Sequence, residues 1–227
     1  MQKLPRNDGP PVKPRHAASL ILLDTSQVEP RVLMGQRHSK MKFIPDAYVF
    51  PGGKLDPEDH QVSPPTTLAP QVVQHVCQGG TTPDMARALA LAAIRETWEE
   101  TGLLLAHNAP LKDVPESWQG FVKGGKAPDL AALSFYARAI TPVSSPIRFH
   151  ARFFLADAQK VTGKLQGSGE LDNLDWYPLS QALKLPIIDV TEFILTELQK
   201  QPEVHQPDPA PLWSYRNDKP IVLRRGM

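Results

Sequence analysis

The chain has 227 residues, 41% of them hydrophobic, enough for one large domain with a substantial core. Lysine and arginine (25) nearly balance aspartate and glutamate (24), so no global field draws the chain to nucleic acid or an anionic membrane surface. A single cysteine, Cys77, excludes an internal disulfide and fits a reducing compartment, for which the cytoplasm is the default.

Residues 1–15 hold Pro5, Pro10, Pro11 and Pro14 without an apolar stretch, and read as a flexible arm rather than a signal peptide. The longest apolar runs, 19–23 and 88–94, are far too short to span a bilayer. Residues 18–23 and 31–36, apolar runs separated by the turn Asp24-Thr25-Ser26-Gln27, predict two antiparallel strands. Residues 41–48 read as extended or looped, and Val49-Phe50 leads into Pro51-Gly52-Gly53, whose glycines permit close backbone approach. Between 60 and 82, with Pro64-Pro65, Pro70 and Gly79-Gly80, the chain reads as an excursion carrying one short helix around 70–77.

A longer helix follows, with Thr82 as N-cap, Pro83 at its first position and Gly102 just past its end. Met85, Leu89, Ala92, Ala93 and Ile94 give it an apolar side, and Glu96, Glu99 and Glu100 occupy another. Beyond it, 103–105 predicts a brief strand, 118–122 and 128–133 helical or irregular structure, and 135–140 and 147–156 strands. Trp176-Tyr177 is short and extended, 179–183 and 190–199 are helical, 201–210 is proline-rich, and 221–223 adds an edge strand. This order predicts a mixed α/β class with a mixed or antiparallel sheet. The expected division is an arm over 1–15, a domain over 16–200 and a C-terminal extension over 201–227.

The chemistry concentrates in Arg95-Glu96-Thr97-Trp98-Glu99-Glu100-Thr101-Gly102. On a helix, carboxylates at relative positions 0, 3 and 4 share one face. Like charges so spaced cost helix stability, and a hard divalent cation held through carboxylate oxygens accounts for the cluster. Asp59 reads equally as a cap for the excursion or as a buttress for this cluster. Lys123-Gly124-Gly125-Lys126 reads as a surface turn, since the rest of a phosphate loop is missing. Trp98 reads as packing.

Gly53, a carboxylate six positions later and Arg95-Glu96-(x)₂-Glu99-Glu100-x-Gly102-Leu103 together resemble the Nudix box, the loop–helix–loop signature of Nudix hydrolases. The family pattern runs Gly, five residues, Glu, seven residues, then Arg-Glu-U-x-Glu-Glu-x-Gly-U, with U apolar. Three departures stand out: Asp59 replaces the first glutamate, 35 residues separate Asp59 from Arg95, and Thr97 fills an apolar position. The split box, with residues 43–53 before it, Thr141-Pro142 leading to 148–154, and Gly169-Glu170-Leu171 through Trp176-Tyr177-Pro178-Leu179, resembles the subgroup interrupted by an insertion, here about 60–82. That subgroup includes a peroxisomal coenzyme A diphosphatase of mammals.

The resemblance implies a Nudix fold, a mixed sheet sandwiched between helices, and water attack on a diphosphate linked to a group X. It implies Mg²⁺ or Mn²⁺ held by Glu96, Glu99, Glu100 and the carbonyl of Gly52, with Arg95 orienting a glutamate. The general base is a box glutamate or Glu170, six residues before Trp176. Arg37, Arg148 and Arg152 are expected to bind substrate phosphates, while Arg148 and Arg152 have the alternative of pairing with acidic neighbours. Coenzyme A or its acyl esters are the favoured substrate, with ADP-ribose or a nucleoside-diphosphate sugar as the alternative. A non-catalytic nucleotide-binding regulatory module is the reading from another class. The expected partner is a small-molecule diphosphate, with neither nucleic acid nor membrane, and the resemblance leaves a homodimer open.

Overall fold

In the computed structural model of the chain, which describes residues 9–41 and 43–224, the apolar run around Leu20 becomes an inner strand buried on both faces. This strand, β1 (Arg15–Asp24), sends Leu20 and Leu22 into one core and Ile21 and Leu23 into another. A continuous apolar run is the expected signature of a strand covered on both sides.

The first half of the chain continues with β2 (Arg31–Arg37), β3 (Tyr48–Val49), β4 (Gly52–Lys54), α1 (Pro70–Cys77), α2 (Pro83–Thr101) and β5 (Leu103–Asn108). The second half holds α3 (Glu116–Gln119), β6 (Lys126–Pro128), β7 (Ser134–Ile140), β8 (Phe149–Asp157), β9 (Val161–Gly163) and β10 (Leu171–Pro178). It ends in α4 (Leu179–Ala182), α5 (Asp189–Lys200), β11 (Leu212–Arg216) and β12 (Lys219–Leu223). Among the described residues the main sheet runs β10-β2-β1-β8-β7-β11-β12, with β3 paired to β2 and β4 to β1. The pairs β1–β8 and β7–β11 are parallel and the other pairs antiparallel, so the sheet is mixed, as expected. β6-β5-β9 form a small second sheet.

On one face α1 and α2 pack through Val72, Val76, Leu89, Ala92 and Ala93 against Leu20, Leu22, Phe135 and Phe154. On the other, Ile194, Leu195 and Leu198 of α5 cover Ile21, Leu23, Val32 and Leu155. The excursion between Asp59 and α2 is ordered by α1, whose Val72 and Val76 are buried while Val73 packs partly exposed.

β1 and β2 pair antiparallel, but only at Leu23–Val32 and Asp24–Arg31, and then splay. β4 fills the gap beside Ala17, Ala18 and Ser19, while β3 fills it beside Gly35 and Gln36. This wedge carries the Gly52-Gly53 turn against α2 and sets up the site.

Residues 1–8 of the expected arm and residues 225–227 of the expected extension lie outside the described residues, and Arg15 already belongs to β1. From the C-terminal stretch, β11 joins β7 in the main sheet and β12 follows as a hairpin. No helix among the described residues is long and apolar enough to cross a membrane.

Candidate active site

Both ends of α2 are fixed, which sets the angle at which its acidic stripe is presented. The Met85 amide donates to Thr82 Oγ1 (3.2 Å) at the start. Gly102 closes the helix in the left-handed region (φ 72°), its N–H donating to the Trp98 carbonyl at 2.8 Å. Thr97, in its apolar position, is buried at little cost because its hydroxyl donates to the Ala93 carbonyl at 2.7 Å. Trp98 packs edge-on against Phe121, with ring centroids 5.8 Å apart.

Glycine is required where the wedge meets this helix. A Cβ on Gly53 would stand 2.3 Å from Cδ of Glu96, and one on Gly52 would stand 2.4 Å from the Ala18 carbonyl oxygen. The Gly52 amide donates to Oε2 of Glu100 at 2.9 Å, tying turn to helix.

Arg95 is the hub. Its buried guanidinium donates from Nε to Asp59 Oδ1 (2.8 Å) and from Nη2 to Asp59 Oδ2 (3.1 Å) and the Lys54 carbonyl (3.3 Å). Nη1 reaches Glu99 Oε2 at 2.8 Å and Glu96 Oε1 at 3.1 Å. Asp59, itself fully buried, also accepts from Trp118 Nε1 (3.2 Å) and from the Asp56 amide (2.9 Å). Cap and buttress, alternatives in the sequence, therefore coexist in one side chain: Asp59 completes the capping box begun by Asp56 and anchors Arg95.

Glu96, Glu99, Glu100 and Glu170 border one cavity of about 950 Å³. Burial pushes the Glu96 carboxyl up to about 7, with Arg95 opposing and Glu99 and Glu170 reinforcing. Burial likewise pushes Glu100 up to about 8 against the Gly52 amide, helped by the charges of Glu96 and Glu170. Glu99 is raised by burial as well, against the pull of Arg95. For Arg95 burial acts downward, and the bonds to Asp59 with the charges of Glu96, Asp59 and Glu99 outweigh it and hold the group well above its ordinary value. Burial, more than mutual repulsion, thus makes the ionised form of these carboxylates costly.

A hard divalent cation fits this donor set by its chemistry, because each box carboxylate keeps a second oxygen outside the bonds just described. As the side chains stand, Glu96 and Glu99 turn to Arg95 and Glu100 to Gly52. Among the described residues no three His, Cys, Asp or Glu side chains form a group that could hold a metal ion.

The remaining sequence candidates divide. Arg37 borders the cavity and donates from Nε to the Phe43 carbonyl at 3.0 Å; burial lowers its pKa against the fields of Glu100 and Glu170. Arg148 also borders it, held by the carbonyls of Thr141 (3.2 Å) and Val12 (2.7 Å). Glu170 is exposed, next to Gly169 at φ 93°. Arg152, expected beside Arg148 on a phosphate-gripping face, requires a correction. It lies inside β8 between Ala151 and Phe153, which line the cavity, and is fully buried against Thr81 Oγ1 (2.7 Å), His16 Nδ1 (2.9 Å) and the His150 carbonyl (2.8 Å). Arg148 precedes the strand and escapes that alternation.

Sequence reading missed several cavity residues: Lys54, Phe149, Phe153, Trp213 and Tyr215. The signal for the last two was present in Asn217-Asp218, a two-residue turn between extended segments, which adopts positive φ at both positions (52° and 56°).

No family model matches the chain. Among solved structures, a NUDIX hydrolase from Alicyclobacillus acidocaldarius is 29% identical, covering 84% of this chain and 93% of its own with a TM-score of 0.63. A MutT protein from Bacillus halodurans is 16% identical, covering 92% and 97% with a TM-score of 0.49. An Ap4A hydrolase from C. elegans is 17% identical, covering 81% and 96% with a TM-score of 0.42.

Proposed function

We propose that this chain, which belongs to the Nudix superfamily, hydrolyses a phosphoric anhydride bond in a nucleotide-like diphosphate, with coenzyme A or an acyl-coenzyme A as the favoured substrate. The observation that carries the reading is the meeting of Glu96, Glu99, Glu100 and Glu170 on one cavity that Arg37 and Arg148 also border. Phosphoryl transfer is governed by positioning and charge stabilisation, and this cavity offers both signs of charge within one space.

Arg37 and Arg148 bind phosphate oxygens through charge-assisted hydrogen bonds. Arg95 is a positioning residue: anchored on Asp59, it holds Glu96 and Glu99 in a fixed relation. Mg²⁺ or Mn²⁺, held by Glu96, Glu99, Glu100 and the Gly52 carbonyl, would neutralise phosphate charge and make water a stronger nucleophile. Glu170, exposed at the cavity border, accepts the proton of the attacking water. The single cysteine, unpaired and half-buried, supports a cytoplasmic setting for this reading.

The test is product analysis of the purified protein with Mg²⁺ against coenzyme A, acyl-coenzyme A, ADP-ribose and nucleoside-diphosphate sugars. Release of phosphopantetheine from coenzyme A is the expected result. Cleavage of ADP-ribose or a sugar nucleotide alone would overturn the substrate, and binding without any cleavage would overturn the activity.

A further inference from the structure

One row of residues runs straight across the sheet from Lys54 to the C-terminal hairpin. Lys54 of β4 pairs with Ala17 of β1, Ala17 with Ala151 of β8, Ala151 with Ala139 of β7, and Ala139 with Trp213 of β11. Directly paired residues project to the same face, and Ala17, Ala151, Ala139 and Trp213 all line the cavity. Three adjacent alanines therefore floor a trough that starts beside Lys54, in the cavity the glutamates also border, and stops at an indole. At the usual strand spacing, Ala17 to Trp213 measures about 14 Å.

The trough has fixed walls. Phe149 and Phe153 lie two residues to either side of Ala151 and also line the cavity. Phe43 packs edge-on against Phe149 with centroids 5.2 Å apart, and Phe50 against Phe153 at 6.5 Å. At the end, Trp213 rests against Phe193 at 5.0 Å and donates from Nε1 to the Tyr215 hydroxyl (3.3 Å), which donates to Asp189 Oδ2 (2.6 Å). The polar tips of that end are thus occupied by one another, and the row between offers no side-chain donor or acceptor.

We infer that this alanine trough binds an uncharged, chain-like group attached to the diphosphate on the side away from the glutamates, and that Ala151, Ala139 and Trp213 set its permitted length. The inference rests on the diphosphate reading of the same cavity. A nucleobase lying on the alanine row would meet polar side chains only at its flanks, Arg15 and Ser19 beside Ala17 and Thr141 beside Ala139, whereas a methylene chain needs no partner there. Alanine at each floor position is what makes the channel, since any larger side chain would fill it.

The experiment uses adenosine diphosphate esterified on its terminal phosphate with straight alkyl chains of increasing length, measured by calorimetry for binding and by turnover for kcat/KM. For the wild type, affinity should tighten about fourfold per added methylene until the trough is full. Ala151→Leu should flatten that dependence, and Trp213→Ala, at the far end, should alter the length at which it saturates. Affinity independent of chain length in the wild type would overturn the trough. So would an Ala151→Leu loss as large for unesterified ADP as for the long esters, which would put the base there. Chain-dependent binding without hydrolysis would uphold the trough and remove the hydrolase reading; hydrolysis without chain dependence would do the reverse.

Discussion

Asp59→Ala is the substitution whose consequences the structure specifies most fully. The carboxylate accepts four hydrogen bonds, two from Arg95 and one each from Trp118 Nε1 and the Asp56 amide, and none of its surface reaches solvent. Removing one partner of a buried ion pair costs about 3–5 kcal/mol, because the remaining charge stays desolvated. Arg95 would retain Glu96 and Glu99, which places the expected loss near the lower end, about 3 kcal/mol. For a chain of this size that corresponds to a fall in Tm of roughly 6–12 °C. The assay is urea unfolding of Asp59→Ala beside a control, Asp84→Ala. Asp84 also pairs with an arginine and a histidine, but on the surface with more than half its side chain exposed, and should cost less than about 1 kcal/mol. Equal losses for the two variants, or a loss below about 1 kcal/mol at Asp59, would refute the view of Arg95 as a buried hub anchored on that carboxylate.

Glu100→Gln should change how stability depends on pH in chelator-treated protein. The folded carboxyl is raised from 4.5 to about 8, so its contribution is fully present below about pH 4.5 and is lost as pH rises through about 8. Replacing it should recover up to roughly 5 kcal/mol at the alkaline end, while the Gln carbonyl still accepts from Gly52; parallel wild-type and variant profiles would contradict this. Glu170→Gln should lower kcat by about 10²- to 10⁴-fold with KM nearly unchanged, and a rise in KM alone would remove it as the base. Gly102→Ala places a Cβ 2.8 Å from the Lys164 carbonyl oxygen in a left-handed residue, and should cost more than about 1 kcal/mol in thermal unfolding. An unshifted Tm would mean that the turn relaxes freely.

Much of the fold was legible because local chemistry and tertiary packing agree. Thr82, Pro83 and Gly102 mark the ends of α2 in the sequence, and the helix spans Pro83–Thr101. The short helix read around 70–77 forms over Pro70–Cys77. Strand ends were less readable: the stretch read as 147–156 forms over Phe149–Asp157, because pairing with β1 and β7 sets the limits rather than composition. The same cause misled the reading of Arg152. Alternation specifies parity, but Arg148 stands before the strand and is free of it, so the two arginines part company. β11 escaped notice because its segment mixes Trp213 and Tyr215 with polar Ser214 and Arg216, and it gains its role only by pairing with β7. At the site, the acidic stripe is visible as spacing, whereas the trough depends on the register of four strands distant in sequence, which no local pattern encodes.

On the proposed function, the α2 glutamates hold a cation on a diphosphate. Turnover of the cleaved diphosphate by wild type and Glu99→Gln, with Mg²⁺ supplied or chelated, tests it most directly. Activity is expected only for the wild type with the ion present, with Glu99→Gln still folded by circular dichroism. Undiminished turnover in chelator, or by Glu99→Gln, would contradict it.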